Sequence, residues 1–191
     1  MKNPARVTSK RSEKRAQGRW SRVGAVVQPQ SRAADNRVRQ PGELKNILVP
    51  TDFSKSSNKA LKYAVSLARK IGSQITPIHV IKPRPIESEP YPVWLGLDPR
   101  LAKADCTLLK VCREQRVHPP LLRDTVVREG TPHREITKAA RDLQADLIII
   151  ATNGRTGLAH ALLGSTTERV VRRAPCPVLV VRETEREFIH D

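Results

Sequence analysis

Asp146-Leu147-Ile148-Ile149-Ile150-Ala151-Thr152 sets five apolar residues in a row between a carboxylate and a hydroxyl. Apolar and polar positions do not alternate, so the run reads as a strand covered by helices on both faces. Upstream, Gly130-Thr131-Pro132 opens a helix, with Thr131 as cap and Pro132 in the first helical position. Ile136, Ala139, Ala140 and Leu143 line the inner face of that helix. Downstream, a glycine-bearing loop leads to a helix over 165–173, and Pro177-Val178-Leu179-Val180-Val181 reads as a further strand.

The earlier part of the chain repeats this grammar. Lys45-Asn-Ile-Leu-Val-Pro50 suits a buried strand, and Ser54 caps the next element. Ala60, Leu61, Ala64, Val65, Leu67, Ala68 and Ile71 recur at helical spacing until Gly72 stops them. A second strand spans Gln74–Ile81, where Pro77 suggests a bulge or a strand start. A helix around 100–116 and a strand over Leu121–Arg128 follow. The order βαβαβαβαβ in about 140 residues implies an α/β fold: an open, doubly wound, five-stranded parallel sheet with helices on both faces, Rossmann-like in layout. Such sheets hold ligands beyond the carboxyl ends of their strands, where the strand order reverses. That rule singles out the ends of the first and second strands and the loop after the fourth.

Composition narrows the class. The chain has 191 residues, 38% of them hydrophobic and 28% charged, enough for a packed core in a water-soluble domain. No stretch nears 18 consecutive apolar residues, which argues against a membrane span, and Met1–Pro4 lacks the apolar start of a secretory signal. Cys106, Cys112 and Cys176 match no zinc-ligand or CxxC spacing and suit a reducing cytoplasm.

The net charge is +16, and residues 1–43 supply +8 of it from eleven Lys/Arg against Glu13, Asp35 and Glu43. This segment has too few large hydrophobes to offset its ordering entropy and reads as a disordered basic tail ahead of a domain at 44–182. Its partner would be nucleic acid or another polyanion held by salt-sensitive phosphate contacts, and the plainer reading is a solvated extension. Residues 183–191 form a charged C-terminal tail. Residues 82–96 carry Pro83, Pro85, Pro90 and Pro92 and read as a connector, or as a lid bearing Tyr91 and Trp94.

The loop after the fourth strand carries the chemistry. It reads Ala151-Thr-Asn-Gly154-Arg155-Thr-Gly157 and, further on, Gly164-Ser165-Thr166-Thr167-Glu168. Neither GxxxxGK[ST] nor GxGxxG is present. Glycines after a strand let backbone N–H groups approach an anion, and a helix start adds unpaired N–H donors with partial positive charge. Ser165, Thr166 and Thr167 add hydroxyls and Arg155 a cation. A ligand-free explanation also exists, because Ser165-x-x-Glu168 has the form of a capping box.

Val49-Pro50-Thr51-Asp52-Phe53-Ser54, His79-Val80-Ile81, Gly154-Arg-Thr-Gly-Leu through Gly164-Ser165 and Ala174-Pro-Cys-Pro-Val-Leu-Val-Val181 resemble the universal stress protein family over residues 44–182. The resemblance implies the UspA-like fold, akin to the adenine nucleotide alpha hydrolases. One branch of the family binds adenine nucleotides through G-x2-G-x9-G-[ST]; here Gly154 and Gly164-Ser165 match, while Ala151 stands at the first glycine. An alanine there would crowd a phosphate if its φ were positive.

By the same resemblance, Asp52 would bond the ribose with Pro50 and Thr51 beside it. Val80 would offer backbone groups to the adenine edge, and Ile150 would wall the base. Gly154, Arg155, Gly164, Ser165 and Thr166 would cradle the phosphates of ATP or another adenine nucleotide, with Mg²⁺ bridged by phosphate rather than held by protein side chains. The alternative for Asp52 is a turn or cap aspartate.

No HExxH or nucleophile signature accompanies His79, His118, His133, His160 or His190, which read as surface or edge residues, and no P-loop lysine appears. A binding protein is therefore expected rather than an enzyme. The last strand, Val178, Leu179, Val180 and Val181, reads as a sheet edge, and the resemblance implies a homodimer through it.

Overall fold

The structure is a computed structural model that describes residues 44–83, 98–152 and 163–183. The expected basic tail at 1–43, Tyr91 and Trp94, the loop residues Gly154, Arg155 and Gly157, and residues 184–191 lie outside the described residues.

Local signals set the element ends. Ser54, in extended conformation, accepts the Ser57 N–H on its side chain and starts α1 (Lys55–Ile71). Gly72 ends it at φ 72°, a left-handed conformation that glycine adopts without a Cβ penalty. β1 (Asn46–Pro50) and β2 (Gln74–Ile81) flank that helix. α2 (Pro99–Glu114) begins where Asp98 accepts the Arg100 N–H at 2.9 Å and Pro99 takes the first position, so it starts and ends a little earlier than its apolar spacing suggested. Then come β3 (Val126–Glu129), α3 (Pro132–Asp142), β4 (Leu147–Ala151), α4 (Ser165–Arg173) and β5 (Val178–Val181).

All pairings are parallel, in the order β3-β2-β1-β4-β5. The doubly wound α/β sheet expected from the sequence is thus observed, and the order reverses between β1 and β4. Alternate residues feed two cores. Ile47, Val49, Leu147 and Ile149 pack with Ala60, Leu61, Ala64 and Ala68 of α1 and Val111 and Cys112 of α2. Leu48, Ile78, Ile148 and Ile150 pack on the other face with Ile136, Ala139 and Ala140 of α3 and Val170 of α4. Each large apolar side chain so covered contributes about 1.5–3 kcal/mol. An unalternated strand such as β4 needs both layers.

One boundary is corrected. The strand expected from Leu121 begins as a ladder only at Val126. Leu122 makes an isolated bridge to Ile75, and the next pair is Ile78↔Val126, so the outer chain carries one residue more than β2 between them. Pro77 is the cause. Ile75 donates to the Leu121 carbonyl and accepts the Arg123 N–H, so odd positions of β2 face β3, and at Pro77 there is no N–H to give.

Candidate functional site

The sheet opens at its order reversal. β1 pairs with β4 only as far as Leu48↔Ile148. Beyond that rung each strand bonds outward. Pro50 pairs with Ile78, and the Thr51 N–H donates to the Ile78 carbonyl at 2.8 Å. On the other side Ala151 pairs with Val181, and the Thr152 N–H donates to the Val181 carbonyl at 3.0 Å. The carboxyl ends of β1 and β4 thus part at the topological switch point, where open α/β sheets place their ligands.

The β1 side of this crevice is a cross-linked turn. Thr51 is buried; its Oγ1 accepts the Phe53 N–H at 3.0 Å and is hydrogen-bonded to Ser57 Oγ at 3.1 Å. Asp52 Oδ1 accepts the Ser54 N–H at 3.1 Å, the geometry of a turn aspartate, and the residue is half-buried. Phe53 sits at φ 66°, a conformation that costs a non-glycine residue about 1–3 kcal/mol and persists only where its surroundings impose it. Its ring stacks on His79 with centroids 4.2 Å apart. His79 Nδ1 in turn lies 2.8 Å from the Thr51 carbonyl, which requires the proton on Nδ1.

The β4 side is closed by α4. The Gly164 N–H donates to the Thr152 carbonyl at 2.8 Å, so the chain that leaves β4 returns to the point it left. Gly164, extended at φ −66° and ψ 148°, takes the N-cap position with no side-chain cap. The capping box expected of Ser165 and Glu168 is therefore not formed. Ser165 is the first helical residue, and Glu168 pairs with Arg172 at 3.1 Å. The reason is the anchoring to β4: Thr167 Oγ1 donates to the Ala151 carbonyl at 2.8 Å and draws the first turn one residue earlier. Thr167 thus turns into the core instead of adding a phosphate-binding hydroxyl. Ser165 is exposed and Thr166 half-buried at a helix start whose N-cap, Gly164, supplies no side-chain cap bond.

Ala151 meets no strain. It is a strand residue, and among the described residues the non-glycine positive-φ residues are Phe53, Arg116 and Gln144. Its methyl belongs to the core cluster on the α1 face with Val49 and Ile149, opposite the face that α4 covers. The condition under which alanine would crowd an anion is therefore not met. Val80 and Ile150 both lie in the α3–α4 cluster, Ile150 buried and Val80 half-buried at the end of β2. Pro50 is buried at the end of β1.

Sequence reasoning misses several residues here. His133, expected at a surface or edge, is 6% exposed in the first turn of α3. Burial, and then the charges of Arg169, Arg173 and Arg134, push its pKa down. The side chain of Thr131 makes no capping bond, although the residue stands where expected. The Phe53–His79 stack has no local signal, because the partners lie on different elements. Asn58 Oδ1, in the first turns of α1, is buried without a hydrogen-bond partner. Among the described residues no group of three or more His, Cys, Asp and Glu could hold a metal ion. No described helix is long and apolar enough to cross a membrane.

Comparison with known proteins agrees with this architecture. Universal stress protein MJ0531 of Methanocaldococcus jannaschii is 35% identical over 144 residues, which span 75% of this chain and 85% of that protein. The solved structure of hypothetical protein MJ0577 is 34% identical and superposes with a TM-score of 0.62, covering 75% of this chain and 99% of that one. A universal stress protein solved in complex with cAMP has the same fold at 22% identity and a TM-score of 0.56, covering 74% and 99% of the two chains. The model of the universal stress protein family matches residues 43–182, the whole of the sheet and its helices, and the chain belongs to that family.

Proposed function

We propose that the crevice between the ends of β1 and β4 binds an adenine nucleotide, ATP or a relative, and that the nucleotide modulates the conformation or partner binding of a dimeric stress-response protein. The observation that carries this reading is the outward bonding of the two strand ends, with the uncapped start of α4 on one wall and Asp52 on the other. Helix N–H groups and dipole favour phosphate, and a half-buried carboxylate suits a ribose hydroxyl. The same fold holds cAMP in one solved universal stress protein, which fits a nucleotide of this class.

Among the described residues no group of three or more His, Cys, Asp and Glu could hold a metal ion, so a Mg²⁺ ion would arrive with the phosphates, whose charge it neutralises. The chain has no P-loop lysine to clamp a leaving phosphate, and binding without dedicated hydrolysis is the activity proposed. Among the described residues β5 pairs with β4 on one side only, and Val178, Leu179 and Val180 are half-buried; a second copy pairing there would satisfy the edge.

Isothermal titration with ATP and Mg²⁺ tests the reading. A dissociation constant below about 1 mM is expected, weakened at least tenfold by Gly164→Val or Asp52→Ala. Absence of heat at millimolar ATP overturns it.

A further inference from the structure

We propose that Phe53 and His79 form a positioning pair for the nucleotide crevice, locking the turn that carries Asp52 and ending the β1–β2 ladder at the crevice's edge. The inference rests on the nucleotide reading above and assigns roles to two residues that touch neither phosphate nor ribose in it.

The parallel ladder between β1 and β2 climbs to the bond from the Thr51 N–H to the Ile78 carbonyl. The next rung of such a ladder runs from the Val80 N–H to the Thr51 carbonyl. His79 Nδ1 lies 2.8 Å from that carbonyl and takes the place of the rung, at the point where β2, which runs on to Ile81, outreaches β1. The imidazole is held in this pose by the Phe53 ring, stacked at 4.2 Å with an interplanar angle of 28°. The ring reaches there because Phe53 is left-handed at φ 66°. That conformation is pinned by the Phe53 N–H on Thr51 Oγ1, itself bonded to Ser57 at the start of α1. Glycine would satisfy the backbone at this position more readily than phenylalanine. An aromatic that carries unfavourable φ and completes a stack is the pattern of strain held for preorganisation. The Asp52 carboxylate, bonded to the Ser54 N–H, sits inside this frame between the two fixed residues.

The test compares Phe53→Gly, Phe53→Tyr, His79→Ala and the unaltered full chain by ATP titration, with melting temperature and far-ultraviolet circular dichroism recorded for each. Phe53→Gly is chosen because its backbone suits the left-handed turn, so the fold is retained. Expected are unchanged circular dichroism and a loss of affinity of about tenfold for Phe53→Gly and His79→Ala, with Phe53→Tyr, which keeps the stack, within about twofold of the unaltered chain. Equal affinity in all four, or affinity lost by Phe53→Tyr as fully as by Phe53→Gly, overturns the pairing while leaving the nucleotide reading intact. Loss of affinity only alongside a changed circular dichroism spectrum also overturns it, since the residues would then serve the fold alone. Failure of the unaltered chain to bind ATP overturns the nucleotide reading, and the pairing falls with it.

Discussion

The Thr167 hydroxyl and the Ala151 carbonyl meet at 2.8 Å in the buried joint between α4 and the end of β4. This bond, with the Gly164 N–H on Thr152, fixes where the helix starts and therefore which N–H groups face the crevice. Thr167→Val keeps the shape but leaves the carbonyl unsatisfied, a loss of about 1–3 kcal/mol. A lowered melting temperature with secondary structure retained is the expected result; an unchanged melt would show the bond to be idle.

Ala151→Gly restores the residue of the family's phosphate-binding pattern. Since the alanine is an ordinary strand residue with its methyl in the α1-side core, the change is expected to destabilise by about 0.5–1 kcal/mol. It should not tighten ATP binding. Titration showing a severalfold gain in affinity would mean that the methyl does intrude on the ligand.

His133 makes the fold acid-sensitive. Its pKa is lowered by burial and then by Arg169, Arg173 and Arg134, so the folded chain resists a proton that the unfolded chain accepts once pH falls below the ordinary histidine value of 6.5. The stability it contributes is present above that value and is lost as pH falls through the folded-state value. Melting curves from pH 7 to pH 5 should decline, and His133→Gln should flatten that decline; parallel curves for both proteins refute it.

The three cysteines should separate by reactivity. Burial pushes the Cys112 thiol up to about 12, and burial followed by Asp146 raises Cys176, whereas Cys106 is exposed. At pH 8 an alkylating reagent is expected to modify Cys106 first, Cys176 slowly and Cys112 only after unfolding. Peptide mass spectrometry over time reads the order, and early labelling of Cys112 would contradict it.

Much of this is legible in the sequence. The unbroken run Leu147–Ala151, the Ser54 cap and the Gly72 stop depend on neighbours in the chain, and each stands where its residue type placed it. The meeting of the end of β1 with the turn into α4 was also legible, because topology alone brings the carboxyl ends of parallel strands together. The β3 boundary was not, since Pro77 acts on a partner strand more than forty residues away in sequence.

Residue type and spacing were thus enough for the parallel sheet and its helices, because hydrophobic periodicity and caps act over a few residues. Packing alone decided that Thr167 turns inward, that Ser165 begins the helix instead of capping it, that Ala151 is unstrained and that Phe53 lies on His79. Those outcomes are settled by hydrogen-bond partners and ring contacts from other strands and helices, and a side chain's direction is fixed only when the element opposite it is in place.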